Sequence, residues 1–166
     1  MSPTTASERE MFLAVFGREA LLTLKVLRAY PDARADLKPA PRSPTAREVA
    51  WTLVMVQQGI EPILSGAVEP FPYPPAPERW TDLVAAFEQA YRDALMRLDR
   101  VSDSDFNGMV RMPTGPQVVG QVRRGDALWT TLHDGIHHRG QLSVYLRMSG
   151  AKVPSIYGPS GDEPWW

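Results

Sequence analysis

Between Arg79 and Val101, apolar residues return at three- and four-residue steps: Leu83, Val84, Phe87, Ala90, Tyr91, Ala94, Leu95 and Leu98. That spacing gathers them on one stripe of an α-helix and would scatter them over both faces of a strand. Three other segments carry the same period, and clusters of proline and glycine that helix interiors tolerate poorly stand between the four. A chain patterned in this way is expected to fold as helices that bury their stripes against one another.

The first segment opens at Ser7, where Ser7-x-x-Glu10 can form a reciprocal capping box, and runs to Tyr30-Pro31. The second is expected to start with Ser43 as N-cap and Pro44 in the first turn, and to continue through Leu53 and Ile60 to Gly66, with a kink at Pro62. The third spans about 79–101 and the fourth runs from Arg124 to Ser149, ending at Gly150. The stretch from Glu69 to Pro77 reads as an extended connection wrapped over the bundle by Phe71 and Tyr73. Residues 102–123 hold Gly108, Pro113, Gly115, Pro116 and Gly120 and read as a long irregular loop, with no convincing β-alternation anywhere. Long connections after the first and third helices permit topologies other than up-down alternation. The tail from Ala151 to Trp166 is too apolar around Val153–Ser160 for a free end and is expected to dock. The expectation is one all-α domain over 1–166, a four-helix bundle with long connections and an ordered C-terminal tail.

Composition narrows the function. The chain has 166 residues, 43% of them hydrophobic and 22% charged, enough to build an ordinary core. A net charge of −1 without a long basic run argues against nucleic-acid binding by electrostatics. The absence of cysteine excludes disulfides, thiolate zinc sites and a cysteine nucleophile. The polar opening residues carry no signal-like apolar core, and no apolar run approaches the roughly 20 residues of a membrane span. A cytoplasmic protein without membrane contact is the default expectation.

All three histidines fall within His133–His138, with Asp134 among them. Imidazoles and a carboxylate this close can hold a metal ion or move protons near neutral pH. On a helical wheel of about 100° per residue, Leu128, Leu132, Ile136, Leu142 and Leu146 fill an apolar arc. Asp134 and His138, four apart, stack on its edge with Ala127, Thr131 and Tyr145, and are expected to point inward. His133 and His137 fall on the outer side. Arg139 lies within the arc and must pair with a carboxylate or carbonyls, tying this helix to its neighbours or to the tail. Gly140 is read as a point of close packing against another helix or a dimer partner.

The run His137-His138-Arg139-Gly140-Gln141, with Tyr145-Leu146-Arg147 and Val153-Pro154-Ser155-Ile156-Tyr157-Gly158-Pro159-Ser160, resembles the C-terminal signature of DinB-like (DinB/YfiT) proteins. Arg47-Glu48-Val49-Ala50-Trp51-Thr52-Leu53-Val54 resembles the second-helix motif of the same family. The resemblance implies a four-helix bundle, commonly dimeric. It implies a divalent metal, often nickel or zinc, held by one histidine of the second helix and two of the last. It also implies, among characterised relatives, metal-dependent thiol S-transferases and a thiol-dependent isomerase.

Carried across, His138 fits the last ligand, whereas Asp134 and Thr52 stand where the family has histidine. A carboxylate is an acceptable ligand and a neutral hydroxyl a poor one, so the metal set His138, Asp134 and Thr52 is degenerate unless Glu48 or water completes it. Two readings follow. In one, nickel or zinc, weakly held, activates a low-molecular-weight thiol cosubstrate for attack on an electrophile. In the other, favoured by Thr52, the protein is a metal-free homodimeric bundle acting as a small-ligand or stress-response module without catalysis. Both expect a small-molecule partner and a homodimer.

Overall fold

The computed structural model describes residues 6–69 and 74–166, so the expected role of Phe71 and Tyr73 lies outside the described residues. The elements are α1 (Glu8–Ala29), a 3-10 turn (Asp32–Arg34), α2 (Ala46–Gln58), α3 (Ile60–Ser65), α4 (Trp80–Asp99), α5 (Asp103–Phe106), β1 (Met109–Gly115), β2 (Val118–Arg123) and α6 (Arg124–Met148). The four long helices lie in the four expected segments.

Their ends follow from local hydrogen bonds. The Ser7 hydroxyl accepts from the Glu10 N–H at 3.3 Å while the Glu10 carboxylate accepts from the Ser7 N–H at 2.8 Å, closing the expected box. The second start is two residues later than expected, with Thr45 rather than Ser43 as N-cap. Thr45 and Glu48 form a second reciprocal box, which satisfies two end donors where a Ser43 cap followed by Pro44 would satisfy one. The second helix then breaks at Gly59 into α2 and α3, because Pro62 has no N–H to give to the Gln58 carbonyl. Gly66, at φ 98°, closes α3 in the left-handed conformation that favours glycine.

Cross-helix contacts fix the topology. Glu8 pairs with Arg123 and Glu19 with Arg139, so α1 and α6 run parallel. The Trp80 indole donates to the Leu27 carbonyl while Tyr91 packs on Phe16, so α1 and α4 run antiparallel. The Tyr145 hydroxyl donates to the Pro44 carbonyl while Gly135 sits against Val56, so α2 and α6 are antiparallel as well. It follows that α2 and α4 are parallel. The topological crossing is therefore made after the second helix, not after the first or third.

The fold is mostly helical rather than strictly all-α. Residues read as an irregular loop include α5 and an antiparallel hairpin, β1 with β2, in register from Met109↔Arg123 to Pro113↔Val119 and shifted by an irregularity before Gly115↔Val118. Val110 is buried, Met112 and Val122 are half-buried against the lower core, and Gln117 makes the turn with φ 59°. Gly66 and Val68 bond to Arg111, extending the hairpin by one bridge. Gly125 is required where the hairpin enters α6: a Cβ there would stand 2.6 Å from the Phe106 ring.

The apolar core comes in two clusters. One gathers Leu27, Tyr30, Leu53, Trp80, Leu83 and Leu142, the other Phe12, Phe16, Ile60, Leu98, Phe106 and Leu128. The buried polar residues Glu19, Thr23, Gln57 and Arg139 come from the middle reaches of the bundle, where the two clusters meet. The tail docks as expected. Lys25 pairs with Glu163 at 2.8 Å, Arg147 with Asp162 at 2.5 Å, and Pro154 is buried.

Candidate functional site

The buried residues of α6 are Gly125, Ala127, Leu128, Leu132, Gly135, Arg139, Leu142, Tyr145 and Leu146. Their arc is centred near Leu128 and Arg139, which leaves His138 at its margin and Asp134 one step beyond. The structure accordingly places the His138 side chain at 23% exposure and that of Asp134 at 52%. The expectation that both point inward is corrected for the aspartate, which opens to solvent. The two still meet, with His138 Nε2 3.4 Å from Asp134 Oδ1.

Gln141 extends this pair into a row. Its amide oxygen lies 2.9 Å from His138 Nδ1 and its amide nitrogen 2.9 Å from His137 Nε2. An amide oxygen only accepts, so His138 donates from Nδ1, and the amide nitrogen donates to His137. His133 stacks on Trp129 with ring centroids 6.1 Å apart, and both His133 and His137 are exposed, as their wheel positions require. A Cβ on Gly140 would meet nothing within 4 Å, so this glycine does not mark close packing within the chain; Gly135, 3.2 Å from Val56, does.

The antiparallel register of α2 and α6 puts Thr52 level with His138. Its hydroxyl turns back on its own helix, donating to the Glu48 carbonyl at 3.0 Å. Glu48 is committed too. Its carboxylate accepts from the Thr45 N–H at 2.6 Å and the Thr45 hydroxyl at 2.9 Å, bonds that hold its pKa below the usual carboxylate value. Among the described residues, no three His, Asp or Glu side chains gather where they could hold an ion. The donor set does not fit the divalent metal that the resemblance implies. Thr52 does border a surface concavity of about 850 Å³, together with Lys38, Arg42, Trp51, Pro74 and Ala76. The Trp51 indole donates to the Pro74 carbonyl at 2.7 Å and so fixes one wall.

Arg139 fulfils its expectation with partners the sequence did not name. Its Nη1 stands 2.8 Å from Glu19 Oε2 and 3.1 Å from the Glu19 carbonyl, and its Nη2 donates to the Tyr157 hydroxyl at 2.5 Å. The Tyr157 hydroxyl in turn donates to Glu19 Oε2 at 2.5 Å. Burial pushes the Glu19 carboxyl up, but the bonds from Tyr157 and Arg139 outweigh it and hold the group below its usual value. Burial and the bond to Glu19 raise the Tyr157 hydroxyl. A signal for Glu19 existed: it is a carboxylate three residues after Phe16 and four before Thr23, on a buried stripe.

Comparison with known proteins places this architecture. A sequence model of the DinB family matches residues 1–164. The chain belongs to the DinB family. This DinB-family protein is 26% identical over 157 residues to the uncharacterized protein YrdA of Bacillus subtilis, covering 92% of this chain and 89% of that one. A DinB-like protein from Bacillus cereus superposes with a TM-score of 0.74 at 22% identity, over 88% of this chain and 95% of that one. YfiT from Bacillus subtilis, described as a probable metal-dependent hydrolase with an unusual four-helix bundle topology, superposes with a TM-score of 0.67 at 13% identity, over 92% of this chain and 94% of that one. At these identities the likeness is one of fold. No helix among the described residues is long and apolar enough to cross a membrane.

Proposed function

We propose that this protein is a DinB-family bundle that binds a small molecule at the concavity beside Thr52 without a tightly held divalent ion. The state of the three donor positions carries this reading. One imidazole is left, the carboxylate beside it is half in water, and the Thr52 hydroxyl is spent on its own helix. Three histidines would offer three imidazole nitrogen donors, and this set offers one nitrogen, one carboxylate and a neutral oxygen. The concavity of about 850 Å³ lies in the size range of small-molecule sites.

Metal analysis of purified, tag-free protein tests the proposal. The wild-type chain should carry well under one equivalent of nickel or zinc. The double variant Thr52→His with Asp134→His, which supplies the two missing imidazoles, should carry close to one. Stoichiometric metal in the wild type that disappears in His138→Ala would overturn it.

A second reading keeps the ion. Asp134 and His138, four apart and 3.4 Å from each other, form half of a divalent site. In that reading a low-molecular-weight thiol is the cosubstrate and the reaction an S-transfer, which thiol-dependent turnover only with added nickel or zinc would support. Self-association as a homodimer goes with either reading. Leu21, Val144, Trp165 and Trp166 are exposed apolar residues available for it, and sedimentation at micromolar concentration is the check.

A further inference from the structure

The polar residues between the two apolar clusters enclose a space that nothing in the binding proposal uses. It is a largely closed cavity of about 10 Å³ between α1, α2 and α6, lined by Thr23, Gln57 and Thr131 among apolar side chains. Gln57 is 7% exposed, and its side-chain oxygen is both shielded from solvent and without a hydrogen-bond partner. Gln57 also borders the open groove between α2 and α4. An oxygen turned into that groove would be exposed, so Oε1 faces the closed side.

The two threonines have already spent their protons. The Thr23 hydroxyl donates to the Glu19 carbonyl at 2.9 Å and the Thr131 hydroxyl to the Ala127 carbonyl at 2.9 Å. Each presents only lone pairs to the cavity, as does Gln57 Oε1. The Glu19 carboxylate is engaged by Arg18, Arg139 and Tyr157. No donor of the lining reaches Gln57 Oε1, and a buried acceptor left without one is costly. The occupant has to be a hydrogen-bond donor, and its size is set by the space. A cavity of about 10 Å³ is just enough for a single water and too small for an organic ligand.

We infer that this cavity is a binding site for one internal water, which donates to Gln57 Oε1 and to a threonine hydroxyl, Thr23 of α1 or Thr131 of α6, and so joins α2 to a second helix through their shared polar level. Gly135 belongs to the same design. A side chain there would press on Val56, 3.2 Å away, in the cavity wall.

A high-resolution crystal structure and oxygen-17 relaxation dispersion of the solvent test the site. Density for one water at about 2.7–3.2 Å from Gln57 Oε1 is expected, as is a relaxation amplitude larger in the wild type than in Gln57→Leu by one long-lived water. If Gln57→Leu does not fold, the double variant Thr23→Val with Thr131→Val keeps the shape and deletes both threonine acceptors, and should lower the amplitude instead. A cavity that is dry in ordered crystals, or equal amplitudes in wild type and a folded variant, overturns the inference.

Discussion

On the edge of α6 that faces α1, the Arg139 side chain is 2% exposed and its head group is shared by Glu19 and Tyr157. One residue earlier, on the edge towards α2, His138 faces an aspartate that is half in water and a glutamine on the same helix. The first arrangement crosses between three parts of the chain and buries both charged groups, with the Tyr157 side open to solvent. The second is made entirely within one helix. Adjacent residues of one sequence run thus differ: Arg139 holds α1, α6 and the tail together, while the polar partners of His138 all lie on its own helix.

Substitutions can break that contrast, and the largest effect belongs to Arg139. Arg139→Met strands the Glu19 carboxylate in the core and should lower unfolding free energy by about 3–5 kcal/mol, read from urea titration. Adding Glu19→Leu should restore part of the loss; a loss under about 1 kcal/mol would mean the pair holds little. Tyr157→Phe removes a hydroxyl that bonds both charged partners and should cost about 1.5–3 kcal/mol in the same assay.

Acid provides a third measure. The folded protein holds Glu19 below the usual carboxylate value of 4.5, so folding releases its proton more readily than the unfolded chain does. Its stabilising contribution is complete above that value and fades as pH falls through the lower folded one. Stability should therefore drop more steeply below pH 4.5 in the wild type than in Glu19→Gln, and matching slopes in the two would remove Glu19 from the acid response. The smallest change belongs to the other edge: His138→Ala and Asp134→Asn should each move stability by no more than about 0.5 kcal/mol.

The helices were legible because their stripes are long and regular. Arg139 could be assigned a buried partner because a guanidinium inside an apolar arc demands one. The identity of the carboxylate was not legible, since Glu19 lies 120 residues from Arg139 and 138 from Tyr157 and no local rule spans such distances. The hairpin was hidden by composition: Pro113, Gly115, Pro116 and Gly120 read as loop, and tertiary packing of Val110 and Val122 outweighed weak local propensity. Asp134 lies one step beyond Ala127 and Tyr145, the last buried positions on its side of α6, and a helical wheel does not fix how far round the helix burial extends.

The parallel pairing of α1 with α6 carries a consequence for biosynthesis. As the polypeptide leaves the ribosome, Glu19 emerges long before its guanidinium and phenol partners are translated. The nascent helix must wait in water for them, since closing early would trap a lone anion. Assembly of this bundle should therefore wait for the final helix and its trailing segment, which act as the closing piece.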